Sequence, residues 1–121
     1  MTHTISTDLI RGHTTTIILN ILRQRDSYGY EIYKKIINLS DHQYELKEAT
    51  LYTAIRRMEK AGYIVSYWGD ESKGGRRKYY RITEEGKTLY EQNRRTWEFA
   101  REVLDRLVKG ELTDDKSEAS T

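Results

Sequence analysis

From Thr83 to Gly110 the sequence carries one helical repeat that is too long for a small domain to cover. Thr83 stands as an N-cap, Glu84 and Glu85 sit at the positive end of the helix, and Gly110 is the stop. Between them Leu89, Asn93, Trp97, Ala100, Leu104 and Leu107 recur at spacings of three and four, close to a coiled-coil seam. A helix of ~26 residues is about 39 Å long. A chain of 121 residues holds one ordinary domain, so this helix extends beyond its own domain. The stripe predicts a partner chain. We expect a homodimer, with Leu89, Ala100, Leu104 and Leu107 at its interface.

Ahead of that helix the hydrophobic period is helical three times and then switches to two. A first helix is predicted from Asp8 to about Gln24, with Ile17, Ile18, Ile21 and Leu22 on one stripe. Arg25-Asp26-Ser27 reads as a short turn, with Asp26 or Ser27 as N-cap of the next helix. That second helix runs from about Tyr28 to Leu39, carrying Gly29, Ile32, Tyr33, Ile36 and Ile37 at amphipathic spacing. Ser40 to Tyr44 reads as a loop. A third helix spans about Lys47 to Ala61 and is stopped by Gly62. Its inner stripe is Leu51, Ile55 and Met58. Its outer stripe is Thr50, Thr53, Ala54 and Arg57. Tyr63 to Trp68 and Arg76 to Ile82 then read as two strands of a hairpin, joined by a glycine-rich turn.

The expected fold is mainly α with a small β hairpin: a winged helix-turn-helix followed by a long dimerisation helix. We divide the chain into a flexible start (1–7), the DNA-binding domain (8–83), the dimerisation helix (84–110) and an acidic disordered tail (111–121). The chain contains neither cysteine nor proline, which excludes disulfides and thiolate metal sites. No apolar run reaches the ~20 residues of a membrane helix, and the start lacks the pattern of a signal peptide. We therefore expect a soluble, cytoplasmic chain.

The net charge of +2 says little, but its distribution says more. Lys73, Arg76, Arg77, Lys78 and Arg81 stand together without an acid, at the tip and on the second strand of the hairpin. Such a patch suits phosphates. Arg77 and Tyr79 share one strand face and Arg76, Lys78 and Tyr80 the other, so part of the block must be structural. On the third helix, Thr50, Thr53 and Arg57 form a small, hydroxylated face with one long cation, the surface a major groove admits. Lys47 and Tyr52 flank it, in reach of phosphate; Tyr52 fits core packing equally well. Lys73, Gly74, Gly75, Arg76, Arg77 and Lys78 would grip the DNA backbone from the wing. Enzymatic readings fail on the residues available. His3, His13 and His42 are scattered, and Gly74-Gly75 lies between strands rather than before a helix. No cofactor is expected.

Three segments resemble the PadR family of bacterial transcriptional regulators. They are Tyr28-Gly29-Tyr30-Glu31-Ile32, the stretch from Ala49 to Glu59 (Ala-Thr-Leu-Tyr-Thr-Ala-Ile-Arg-Arg-Met-Glu), and the stretch from Gly74 to Gly86. The resemblance covers about residues 8 to 109. The single C-terminal helix is similar to the short-tailed branch of that family, and the likeness is strongest to a multidrug-binding repressor within it. The resemblance implies promoter DNA as partner and dimers formed through the last helix and the first. It also implies a pore at the dimer centre where paired tryptophans, here Trp97, sandwich flat aromatic compounds. Asn93, Asn20, Leu9, Thr16 and Arg101 would then join Trp97 around the ligand. This chain departs from the pattern at Thr53, where many members carry proline, and around Trp97, where Asn93, Arg94 and Arg101 are more basic. The two arginines would turn preference towards neutral or anionic aromatics.

Read from spacing alone, Trp97 fits dimer core as well as a ligand platform. Three functions stay open at this point: a repressor released by a planar ligand, a ligand-independent architectural or partition protein, and a protein-interaction adaptor. The Thr/Arg stripe and the basic hairpin argue against the third.

Overall fold

The computed structural model describes residues 7–69 and 76–113. Five helices and a three-stranded sheet form a winged helix-turn-helix with a long trailing helix. The helices are α1 (Thr7–Ile10), α2 (Thr14–Gln24), α3 (Gly29–Leu39), α4 (Glu48–Lys60) and α5 (Glu84–Lys109). The strands are β1 (Ser27–Tyr28), β2 (Ile64–Trp68) and β3 (Lys78–Ile82). None of the described helices is long and apolar enough to cross a membrane.

The predicted first helix is broken. A 3-10 turn over Arg11–His13 separates α1 from α2. Gly12 lies in that turn, and three consecutive threonines follow it, so the propensity to carry one helix through is weak. The rest of the stripe holds: Ile18, Leu19, Ile21 and Leu22 are buried. They meet Ile32 and Ile36 from α3, and Leu51, Ile55 and Met58 from α4.

Ala54 departs from its expected place. The sequence spacing puts it on the outer stripe of the third helix, yet it is buried. Leu51, Ala54, Ile55 and Met58 make the full i, i+3, i+4, i+7 set, so Ala54 completes the inner stripe.

Neither Asp26 nor Ser27 caps α3. The N-cap is Tyr28, without a side-chain cap bond. Ser27 and Tyr28 instead form β1, which pairs antiparallel with β3 through Ser27–Tyr80 and Tyr28–Tyr79. β3 is thus the central strand, with β2 on its other side. Ser27 is fully buried. Its hydroxyl donates to the Arg25 carbonyl (3.3 Å) and accepts from Lys35 Nζ (3.0 Å).

The loop after α3 folds back onto the core through buried Tyr44 and Leu46. The Tyr33 hydroxyl donates to the Glu45 carboxylate, which pushes the phenol pKa up to about 12. The α4 stop is as expected: Gly62 sits at φ +87°, the left-handed conformation glycine adopts freely. Thr83 caps α5, its hydroxyl accepting from the Gly86 amide at 3.1 Å and donating to the Gly62 carbonyl at 2.7 Å.

Along α5, Tyr90 is buried and Leu89 is half-buried against the core. Leu89 therefore packs within its own protomer rather than at a bare interface. Past Tyr90 the apolar side chains stand open: Trp97 is 42% exposed, Leu104 57% and Leu107 75%. Ala100 is exposed as well.

Candidate nucleic-acid interface

The exposed surface of α4 carries Thr50, Thr53 and Arg57, one turn apart along the helix. Their position follows from the buried stripe, which turns this face outward. Thr53 is partly engaged: its hydroxyl donates to the Ala49 carbonyl (2.9 Å) and accepts from Arg56 (3.3 Å). Lys47 is exposed at the N-cap of α4.

Tyr52 sits at the edge of this face, half-buried. Its ring lies over Gly29, so close that a Cβ there would fall 2.3 Å from the hydroxyl. Tyr52 thus packs on α3, as its core role requires, and also borders an open groove of about 450 Å³. Tyr28, Tyr30, Arg77, Lys78 and Tyr80 line the same groove. It brings the start of α3, the flank of α4 and the cationic strand to one place. Because the obstacle at Gly29 is a movable ring, Gly29→Ala should cost only about 1 kcal/mol. Urea unfolding measures that cost, and tyrosine fluorescence should report the displaced Tyr52. An unchanged midpoint would mean the ring moves freely.

The wing cations are placed by aromatic rings. Arg77 lies 4.6 Å from the Tyr28 ring centre, and Arg76 lies 4.6 Å from that of Trp68. Tyr80 and Ile82 point into the core, whereas Tyr79 and Arg81 lie on the outer sheet face. Lys78 is exposed at the start of β3. Lys73, Gly74 and Gly75 lie outside the described residues.

The bonds of Asp26 to the wing and the tyrosine ladder are not legible in the sequence, where Asp26 reads as a helix cap. The Asp26 carboxylate accepts from the Tyr67 hydroxyl (2.6 Å) and from Arg81 Nε (3.2 Å). That hydrogen bond is the main reason the Tyr67 phenol is held above its ordinary pKa. Tyr67 and Tyr79 face each other in register and stack, and Tyr28 meets Tyr79 edge-on.

On the other side of the molecule, an open groove of about 570 Å³ runs between α2, the end of α3 and α5. Thr16, Asn20 and Trp97 line it, together with Ile10, Ile17 and Glu98. Asn93 and Leu9 are not among its lining residues. The Asn93 amide donates to the Thr16 hydroxyl (3.0 Å), and the Tyr90 hydroxyl donates to Asn20 (3.3 Å). These two bonds pin α5 to α2. Arg101 lies over the Trp97 ring at 5.0 Å. Arg94 pairs with both Glu91 (3.1 Å) and Glu98 (3.3 Å), so its charge is already answered.

Phe99, Val103 and Val108 were not singled out by the seam. Phe99 is 67% exposed and is followed one turn on by Val103. The apolar face of α5 is therefore broader than one coiled-coil stripe.

A family model described as the transcriptional regulator PadR-like family matches residues 18–92. An uncharacterised protein of Lysinibacillus sphaericus is 42% identical over 106 residues, spanning 88% of this chain and 97% of that protein. The transcriptional regulator YqjI of Escherichia coli (strain K12) is 32% identical over 93 residues, or 77% of this chain and 43% of its own length. Among solved structures, a transcriptional regulator from Clostridium thermocellum is similar at a TM-score of 0.81 and 51% identity, covering 88% of this chain and 100% of that one. A PadR family transcription regulator from Clostridium difficile R20291 is similar at a TM-score of 0.72 and 40% identity, covering 80% and 99%.

Proposed function

The chain belongs to the PadR-like family of transcriptional regulators, and from that premise we propose that it is a dimeric repressor that reads promoter DNA through α4 and the wing. The observation that carries this reading is the groove shared by Tyr52, Tyr28, Tyr30, Arg77 and Lys78 beside the exposed Thr50–Thr53–Arg57 face. Base edges fall to Thr50, Thr53 and Arg57. Phosphates fall to Lys47, Tyr52 and the wing residues Lys73 to Lys78, with Tyr28 and Tyr30 added by the groove. Titration of the promoter upstream of the chain's own gene against a scrambled duplex tests the reading. Equal affinity for both would leave only non-specific binding.

The finer part of the proposal is release by a flat aromatic compound held against Trp97 at the dimer centre, in the manner of the short-tailed, multidrug-binding branch. Support comes from Trp97 standing half-exposed on a groove whose apolar wall includes Ile10 and Ile17. Arg101 covers one face of the ring, which leaves the other for stacking. With Arg94 neutralised and Glu98 on the groove wall, neutral aromatics fit better than anionic ones. Release then requires that the ligand favour a dimer geometry whose two α4 helices no longer match the half-sites. We expect neutral planar compounds to quench tryptophan emission in the wild type and to lose binding in Trp97→Ala. Trp68 supplies a second signal, so calorimetry runs alongside. Binding that survives Trp97→Ala unchanged removes Trp97 from the site.

A further inference from the structure

Asp26 is an acid set beside a surface that is to meet phosphates. Electrostatics alone would make it a repulsive element there. Its hydrogen bonds give it another role. The two donors it accepts, Tyr67 and Arg81, belong to different strands of the wing, β2 and β3. One carboxylate therefore ties both strands to the short connection between α2 and β1. From there the contacts continue across the sheet. Arg81 covers the Tyr67 ring (4.9 Å), Tyr67 stacks on Tyr79 (5.7 Å between centroids), Tyr79 meets Tyr28 (5.4 Å), and Arg77 lies over Tyr28. Two ladder pairs also join β1 to β3.

We propose that Asp26 is a positioning residue that fixes the angle of the wing to the start of α3, and through it the place of Arg77 at the DNA groove. The same pairing takes Arg81 out of the set of cations free to meet phosphate. Asp26 itself touches no DNA. This inference rests on the DNA-binding reading above for its consequence, though not for its geometry.

The sign of one mutation separates this from an ordinary surface acid. Removing a repulsive charge should tighten DNA binding, whereas removing a positioning group should weaken it. Asp26→Ala should weaken binding to both the promoter duplex and the scrambled duplex about fivefold, the scale of one exposed charged pair. Tyr67→Phe, which keeps the ring stack and the Arg81 pair, should weaken binding by less, and the double variant should be no weaker than Asp26→Ala alone. Asp26→Asn preserves volume and one acceptor, so it should fall between and guards against a folding defect. In the absence of DNA, amide exchange at the Ser27–Tyr80 and Tyr28–Tyr79 ladder should quicken in Asp26→Ala while α2 and α5 stay protected. Equal or tighter DNA binding with unchanged exchange would overturn the proposal. Faster exchange in Asp26→Ala, together with a wild type that binds neither duplex, would sink the DNA-binding reading and leave the wing tether standing.

Discussion

Leu104→Glu combined with Leu107→Glu should turn a dimer into a monomer of 14.4 kDa and all but abolish operator binding. Both leucines lie on the part of α5 that projects past the core, and both are open to solvent in the single chain. Burial of a leucine contributes roughly 1.5–3 kcal/mol, and a two-fold interface uses each position twice. Four buried glutamates in their place would add unpaired charge to a lost apolar contact. The fold of each protomer should survive, since the buried set ends at Tyr90 on this helix. DNA affinity should fall about a hundredfold or more, because one recognition helix then binds without the effective concentration supplied by the other. Sedimentation and operator titration check the two halves separately. A variant that stays dimeric would move the interface to the Phe99–Val103 side of α5. A monomer that binds as tightly as the wild type would mean that one protomer suffices.

Features with a local cause could be read in the sequence. The long α5, its Thr83 cap, the Gly62 stop and the helical stripe of Ile18, Ile21 and Leu22 each depend on residues within a turn or two. So did the outward placing of Thr50, Thr53 and Arg57, which follows once Leu51, Ile55 and Met58 face inward. The features missed depend on residues far apart in the chain. Two residues, Ser27 and Tyr28, are too few to show a strand period, and they become β1 only because Tyr79 and Tyr80 lie alongside. Asp26 looked like a helix cap because caps are local, whereas its partners, Tyr67 and Arg81, stand 41 and 55 residues on. Ala54 fooled the stripe because alanine fits either face. Phe99 escaped for the opposite reason. Its spacing from Trp97 breaks a two-stranded seam, although it is plainly apolar and exposed.

Arg57→Ala should separate base reading from phosphate gripping more sharply than any other single change. Arg57 lies in the last turn of α4 on the face of Thr50 and Thr53, and its side chain has no partner among the described residues. It is thus free to form the bidentate contact by which arginine reads guanine. Its neighbour Arg56 is already bonded to Thr53 and serves as an internal control. Loss of a bidentate contact costs roughly 1–3 kcal/mol at each half-site, so a dimer on a two-fold operator should bind about thirtyfold more weakly even at the lower bound. On a scrambled duplex the same variant should lose little. Lys47→Ala gives the contrasting pattern: a similar loss on both duplexes and a salt slope lower by about one per phosphate contact. Replacement by lysine at position 57 retains the charge without the planar fork, so Arg57→Lys should leave non-specific binding intact without restoring operator preference. Equal losses on both duplexes for Arg57→Ala would reduce Arg57 to a backbone contact and leave Thr50 and Thr53 as the bearers of sequence preference.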